Sequence, residues 1–507
     1  MKKLLIMCLM VLSAFIITAI LQPYERESPR TIDFINLSDE YHVDNSEAVL
    51  YYPDGITPHI GVEAFLSTIE GAVRHDALDI ESTDARVILT LKEHDMILDM
   101  EAQKIVMDRI EMTRAIGESP RTDFGAGVET IDTHTSGGGA VTIDLDSYDH
   151  QIKSEEGSMV IPLHLANLLF SGTTYNVHYN GDALHGVDVY QLNRESIQET
   201  LRESSYTYYP MDDAVGRTTR DFLLLLFEHF YGLDVPEGES SFESIIEDYE
   251  RQLLASPLRH YEAIQHIVYA LDDPHSSFLM GGMYAGRARF PLYRHMLGPR
   301  TLRLYEARER METCEIEEGF TRLADDTARI VLQQFTLETP HRLKDALERA
   351  EREDMEHIII DLTCNSGGVR GPMIRTLGMI TDETIETHRK NARDGALTTH
   401  VYETDETYFP FEYSLLVSNV TYSAAHHFTV VAKAEGSATV YGERTGGGGA
   451  SVATHILPSG AIIRLSSTDV LASIDGRMLE EGIVPDEPLQ LESLNHEQLK
   501  EWIDDMD

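Results

Sequence analysis

The chain has 507 residues, with 86 Asp and Glu against 41 Lys and Arg, a formal charge of −45. At about 150 residues per domain this length suggests roughly three domains, and 42% apolar with 25% charged residues is a globular composition, not a disordered one. The acidic excess argues against nucleic acid, whose phosphates would be repelled.

Three cysteines, Cys8, Cys314 and Cys364, cannot build a disulfide framework; at most Cys314 and Cys364 pair, and the simpler expectation is two buried free thiols. At the N-terminus, Lys2 and Lys3 precede an uncharged run from Leu4 to Leu21, followed by Gln22, Pro23, Glu25 and Arg26. The run is short for a bilayer span and long for a signal-peptide core, and no small-x-small cleavage pattern follows it. Residues 1–25 are therefore expected to be an uncleaved anchor, with a cleaved signal as the alternative. Either way the lysines stay cytoplasmic and everything beyond is extracytoplasmic, on the cell membrane or secreted.

Residues 47–195 read as a β-rich N-terminal domain. Val87, Leu89 and Leu91 alternate, as do Met96, Leu98 and Met100 across a polar turn at Glu93, His94 and Asp95. Val141, Ile143 and Leu145 repeat the pattern, a short helix follows Pro162, and Asn180-Gly181 between Tyr175–Tyr179 and the next strand signals a two-residue hairpin loop. No catalytic constellation is visible there, so the default role is binding or spacing. Residues 196–290 switch to helical periodicity: Phe242, Ile245, Ile246, Tyr249 and Leu253 share a face, with Ser240 and Glu243 as a candidate capping box.

From residue 291 to about 500 strands and helices alternate, which predicts an α/β core. Thr327 to Phe335 reads as a strand, and Thr339-Pro340 opens a helix. The string IIIDLTCNSGG at 358–368 is a continuous apolar strand breaking into a glycine-ended loop that brings backbone N–H groups near a ligand. In SLLVSNVTYSAAHHF, residues 414–428, Ser423 stands at a strand-to-helix turn. There the helix end favours an alkoxide or oxyanion, although an isolated serine is more often a plain cap. The glycines of YGERTGGGG at 441–449 lack the Lys-Ser/Thr of a phosphate loop. Strands 451–456 and 461–466 pair across Pro458-Ser459-Gly460, and EEGIVPD at 480–486 precedes a charged tail.

Taken in order, these strings resemble the C-terminal processing (tail-specific) serine peptidases and their tricorn-like branch. The matching segments are ALDDPHSSF at 270–278, Asp361 to Gly368, Thr421 to Ala425, Gly442 to Gly447 and Gly482 to Asp486. The resemblance implies a layered, crotonase-like sheet-and-helix core and serine-peptidase chemistry. It also implies a choice of base. Processing peptidases pair the serine with a lysine, but that position falls on Gly448, and Arg444 cannot serve as a base near neutral pH. Tricorn-like members use a histidine oriented by a glutamate. His275 matches the histidine; Glu480, with Glu481 beside it, is the glutamate after a one-residue shift. Pro274 stands where those relatives carry a serine, Ser276 is only a neighbour, and His426, three residues after Ser423, is a fallback base.

The expected mechanism is acyl transfer: Ser423 as nucleophile, His275 as base, Glu480 fixing its tautomer, and an oxyanion held by N–H groups of Gly367 or Gly368 and of Ala424. Asp361 and Asp486 are read as loop-fixing. No metal or organic cofactor is implied, and the expected partner is a polypeptide substrate, taken in unfolded segments or C-terminal tails. Residues 279–326 are too few for the peptide-binding PDZ module of the processing peptidases; Gly281, Gly282 and Gly286 suggest a mobile segment instead, with a lid as one option. The alternative is a family member that has lost catalysis and binds a peptide or apolar ligand.

Overall fold

The computed structural model describes residues 28–118, 125–172, 174–208, 210–312 and 318–489. The expected N-terminal anchor, Cys8, Cys314 and the charged tail lie outside them. Among the described residues no helix is long and apolar enough to cross a membrane.

The N-terminal part is β-rich because its strands alternate. In the five-stranded antiparallel sheet built on Arg86–Leu91 and His94–Asp99, Val87, Leu89, Met96 and Leu98 turn inward and are buried. The turn is Lys92-Glu93, and Lys92 takes φ +59°, so His94 and Asp95, expected in the turn, begin the second strand instead. A seven-stranded sheet includes Arg30–Asn36 and the hairpin Tyr175–Tyr179 with Leu184–Asp188. Its loop runs over residues 180–183, longer than the expected two, because the Asn180 side chain accepts the N–H groups of Asp182 and Ala183 and closes a wider turn. The helix after Pro162 is Leu163–Phe170, with all its residues buried.

In the helical segment, Phe242–Glu247 is capped by a reciprocal pair, Ser241 with Ser244, one residue later than expected. Both Ser240 and Ser241 could cap by residue type; the helix starts where Phe242, Ile245 and Ile246 can all point inward. Pro257–Ala270 then leads into the turn carrying His275.

The C-terminal part is the expected α/β core. His357–Asp361 is flanked in parallel by Thr327–Val331 and Glu412–Val417, and Ile358, Ile359 and Ile360 are fully buried, as a strand covered on both faces requires. Helices Thr339–Arg352, Arg370–Leu377 and Ala424–Glu435 supply apolar side chains to the same core. A second, antiparallel sheet places the site. Its longest strand, Ile462–Ala472, pairs with Ala450–Ile456 along most of its length, with Ser277–Met280 at its start and with Ile385–Asn391 at its end. Val128–Ser136, from the β-rich part, adds to the edge through Leu397–Thr404. Strands from all three expected segments thus share one sheet.

Candidate active site

Ser423 is positioned by two loops tied together. The strand Glu412–Val417 ends at Ser418, whose hydroxyl donates to the Thr363 carbonyl, while Thr421 Oγ1 donates to that of Leu362. Tyr422 N–H donates to the Asn365 carbonyl, and Ser423 N–H to that of Gly447. Held on both sides, Ser423 takes φ +55° and ψ −121° immediately before the helix Ala424–Glu435. This is a region that non-glycine residues avoid, at a cost of about 1–3 kcal/mol. Its side chain is half-buried and reaches a cavity of about 960 Å³.

The glycine loop faces it. Gly367 adopts φ +107° and Gly368 φ +141°; a methyl group on Gly367 would lie 2.7 Å from Ser423 Cβ, so only glycine allows the approach. The two expected oxyanion donors are not equivalent. Gly367 N–H is already donated to Asn365 Oδ1 at 2.9 Å. Gly368, Ala424 and Ser423 all line the cavity, which favours Gly368 with Ala424 as the N–H pair. Asp361 accepts from Thr363 N–H and hydroxyl and pairs with Arg329. Asp486 pairs with Lys433 at 2.7 Å and accepts from Val440 N–H. Both fix loops.

The same loop carries Cys364, which is disulfide-bonded and buried. This corrects the expectation of two free thiols; the partner cysteine lies outside the described residues. A buried thiol and a half-cystine look alike in sequence, and only the tertiary approach of the loop distinguishes them.

His275 lines the same cavity. Its turn is built by Asp273, whose Oδ1 accepts His275 N–H at 3.0 Å and whose Oδ2 accepts the Ser276 hydroxyl at 2.5 Å. The imidazole lies against the Tyr422 ring, centroids 4.7 Å apart, so the residue before the serine also seats the histidine. Pro274 and Ser276 line the cavity beside it.

Glu480 is 8% exposed and is gripped rather than free. Arg300 donates to Oε1 at 2.5 Å and Ala450 N–H to Oε2 at 2.9 Å. Burial pushes its carboxyl up to about 7, opposed by the Arg300 charge and reinforced by nearby Asp273. Glu481 is largely exposed and sits 3.6 Å from Arg300. Arg300 itself comes from the helix Pro299–Glu312, whose first N–H groups, at Arg300 and Thr301, are capped by Asp272. Asp272, Asp273, Arg300, Tyr422 and Asn365 were not singled out by sequence reasoning. Asp272, Asp273, Asn365 and Tyr422 lie inside the matching motifs, but Arg300 sits in a stretch without one.

Other candidates fall away. His426 is fully buried, its Nδ1 with Thr445 Oγ1 at 2.9 Å and its Nε2 with the Leu479 carbonyl at 2.7 Å, and burial pulls it down to about 4; it braces the helix. Gly448 has φ +78°, and any side chain there would run into the Tyr422 ring, so no lysine fits. Arg444 donates to the carbonyls of Glu481 and Gly482. The expected lid is instead packed: Met283 and Tyr284 are buried, Tyr284 N–H donates to Tyr261 Oη, and Gly282 lies against the Ser459–Ala461 backbone. Its glycines serve close approach, which in sequence reads the same as mobility.

Comparison with known proteins agrees with this core. Residues 326–489 match the family model "Peptidase family S41". A "Probable CtpA-like serine protease" of Staphylococcus aureus (strain N315) is 28% identical over 160 residues, 31% of this chain and 32% of the relative. The chain thus spans about a third of the length of the curated relatives it matches. Among solved structures, a photosystem II D1 C-terminal processing protease aligns at TM-score 0.42 and 14% identity, covering 59% of this chain and 96% of that one. A lipoprotein from Streptococcus agalactiae aligns at 0.38 and 17%, covering 58% and 96%. Over residues 326–489 the chain is therefore similar to peptidase family S41.

Proposed function

We propose that this protein is a serine peptidase of the tricorn-like kind, hydrolysing peptide bonds in unfolded segments or chain ends through an acyl-enzyme. The observation that carries the reading is Ser423, strained at φ +55° on a helix N-terminus in a cavity it shares with His275 and Gly368. Ser423 Oγ attacks the substrate carbonyl carbon while His275 takes the hydroxyl proton. The carbonyl oxygen becomes an oxyanion in front of Gly368 and Ala424 N–H, a type of donor whose loss costs about 3–4 kcal/mol in other serine hydrolases. Collapse expels the amine with the proton from His275, and water then repeats the sequence on the ester.

Glu480 acts in this scheme as a positioned charge. Its carboxylate, held by Arg300 and Ala450, and the neighbouring Asp273 that fixes the His275 turn form one acidic cluster able to stabilise an imidazolium. A location outside the cytoplasm, by anchor or secretion, is supported by the apolar N-terminal run and by the disulfide at Cys364. A serine-directed fluorophosphonate tests the nucleophile. The expected result is a single adduct on the peptide containing Ser423, slowed by His275→Ala; an adduct elsewhere, or none, would leave a binding protein on a peptidase fold.

A further inference from the structure

With 86 acidic and 41 basic side chains, this protein should present acidic surfaces nearly everywhere. The cavity holding Ser423 and His275 is the reverse. Arg114, Arg370, Arg389 and Arg464 line it, and among the described lining residues there is no Asp or Glu.

Two of the four guanidiniums are committed to the wall. Arg114 and Arg389 both pair with Asp469, at 2.9 and 2.6 Å, and Arg389 also donates to Ser451 Oγ and the Gly449 carbonyl. Arg370 and Arg464 differ. Arg370 donates to the Tyr402 hydroxyl and stands 5.6 Å over its ring, with no carboxylate paired to it among the described residues. Its charged neighbours include Arg389, Arg114 and the acid Asp469. Arg464 likewise has no ion pair among the described residues; across the strands it faces Ser277 and Thr454. Burial pulls both guanidiniums below the usual arginine range. His427, one turn past Ser423 and 5% exposed, adds a donor-acceptor to this wall: among the described residues its Nε2 has no hydrogen-bond partner.

Desolvated guanidiniums without a carboxylate in direct contact are costly, and a carboxylate brought by a ligand offsets that cost with bidentate hydrogen bonds. Their placement says which ligand. Arg370 follows Gly368 by two residues, on the oxyanion side; Arg464 pairs across the strand with Ser277, two residues past His275, on the base side. We propose that the cavity takes acidic peptide segments, with Arg370 and Arg464 binding substrate carboxylates on the two sides of Ser423. This deepens the peptidase reading and rests on it for the word substrate, but the binding itself can be tested without turnover.

The experiment uses the full chain with Ser423→Ala and four N-terminally fluorescein-labelled decapeptides: a central Glu-Glu or Gln-Gln pair, each with a free or an amidated C-terminus, followed by fluorescence anisotropy. The Glu peptide with a free end is expected to bind about tenfold or more tighter than the Gln amide at low salt, the gap shrinking as salt rises. Comparing the Glu amide with the free-ended Gln peptide tells side-chain from C-terminal carboxylates. Arg370→Gln and Arg464→Gln should each narrow the gap, and the double variant should abolish it. Equal binding of all four peptides, no binding of any, or a gap that survives the double variant would overturn the proposal. If a variant fails to fold, the salt-sensitive gap in the Ser423→Ala parent still decides. A gap present in a protein whose wild type takes no fluorophosphonate would separate this proposal from failure of the catalytic reading.

Discussion

Ser423 holds its φ of +55° because neighbouring bonds over-determine it: Ser423 N–H to Gly447, Tyr422 N–H to Asn365, and the packed Gly367 in front. Strain of this kind is stored free energy. Ser423→Gly should therefore be more stable than Ser423→Ala by about 1 kcal/mol, read as a higher urea midpoint, with both inactive. Equal midpoints would mean the backbone is unstrained. Gly448 makes the complementary case: Gly448→Lys restores the residue of a Ser–Lys dyad but forces a side chain into Tyr422 at φ +78°. It should lower stability by about 2 kcal/mol or more and bring no lysine-dependent activity. Ser423 and His275 could be singled out as candidates because each sits in a short motif whose neighbours are local, and the two share a cavity. Arg300 was not, since its bond to Glu480 spans 180 positions and nothing in either flank announces it.

At the scale of elements, the helix Pro299–Glu312 is the arm that delivers Arg300, and Asp272 is its cap. Asp272→Ala should cost about 1 kcal/mol of stability and, because the helix end carries Arg300, also reduce turnover; a purely local cap would leave kcat unchanged. Arg300 favours the ionised form of Glu480 against burial. In Arg300→Met the carboxylate therefore becomes harder to ionise, and the acid limb of kcat/KM should move to higher pH by about one unit or more. A limb that stays in place would remove Glu480 from the mechanism. Periodicity located several of the helices and strands, yet two turn details differed. At Asn180 the side chain closed a longer loop than the dipeptide implied, and at Ser241 tertiary burial of Phe242 chose between two adjacent serines.

For the whole molecule, the acid side of the stability curve is set by histidines buried neutral. His59, His178, His260, His426 and His455 are all pulled by burial down to about 4. Their unfolded values lie near 6.5, so below that pH the unfolded chain binds protons that the folded one refuses. Stability is then complete above 6.5 and lost as pH falls toward 4, by up to about 1.4 kcal/mol per pH unit for each group. Glu480, raised to about 7, has the opposite sign, costing stability between about 4.5 and 7. Urea midpoints should fall steeply from pH 6.5 to 5; a flat profile would contradict the neutral-histidine packing. What the sequence could not convey at this scale is the sharing of one sheet by all three segments. Val128–Ser136 pairs with Leu397–Thr404 from more than 260 residues away, and an exposed, mostly polar strand carries no sign of its partner.

The most direct measurement is hydrolysis of an unfolded reporter polypeptide by the protein from about residue 28 onward, beside Ser423→Ala and His275→Ala, with products identified by mass. Wild type should cleave, and each variant should lose about 10³-fold or more in rate. Cleavage that survives His275→Ala would contradict the assignment of the base, and cleavage that survives Ser423→Ala would contradict the account as a whole.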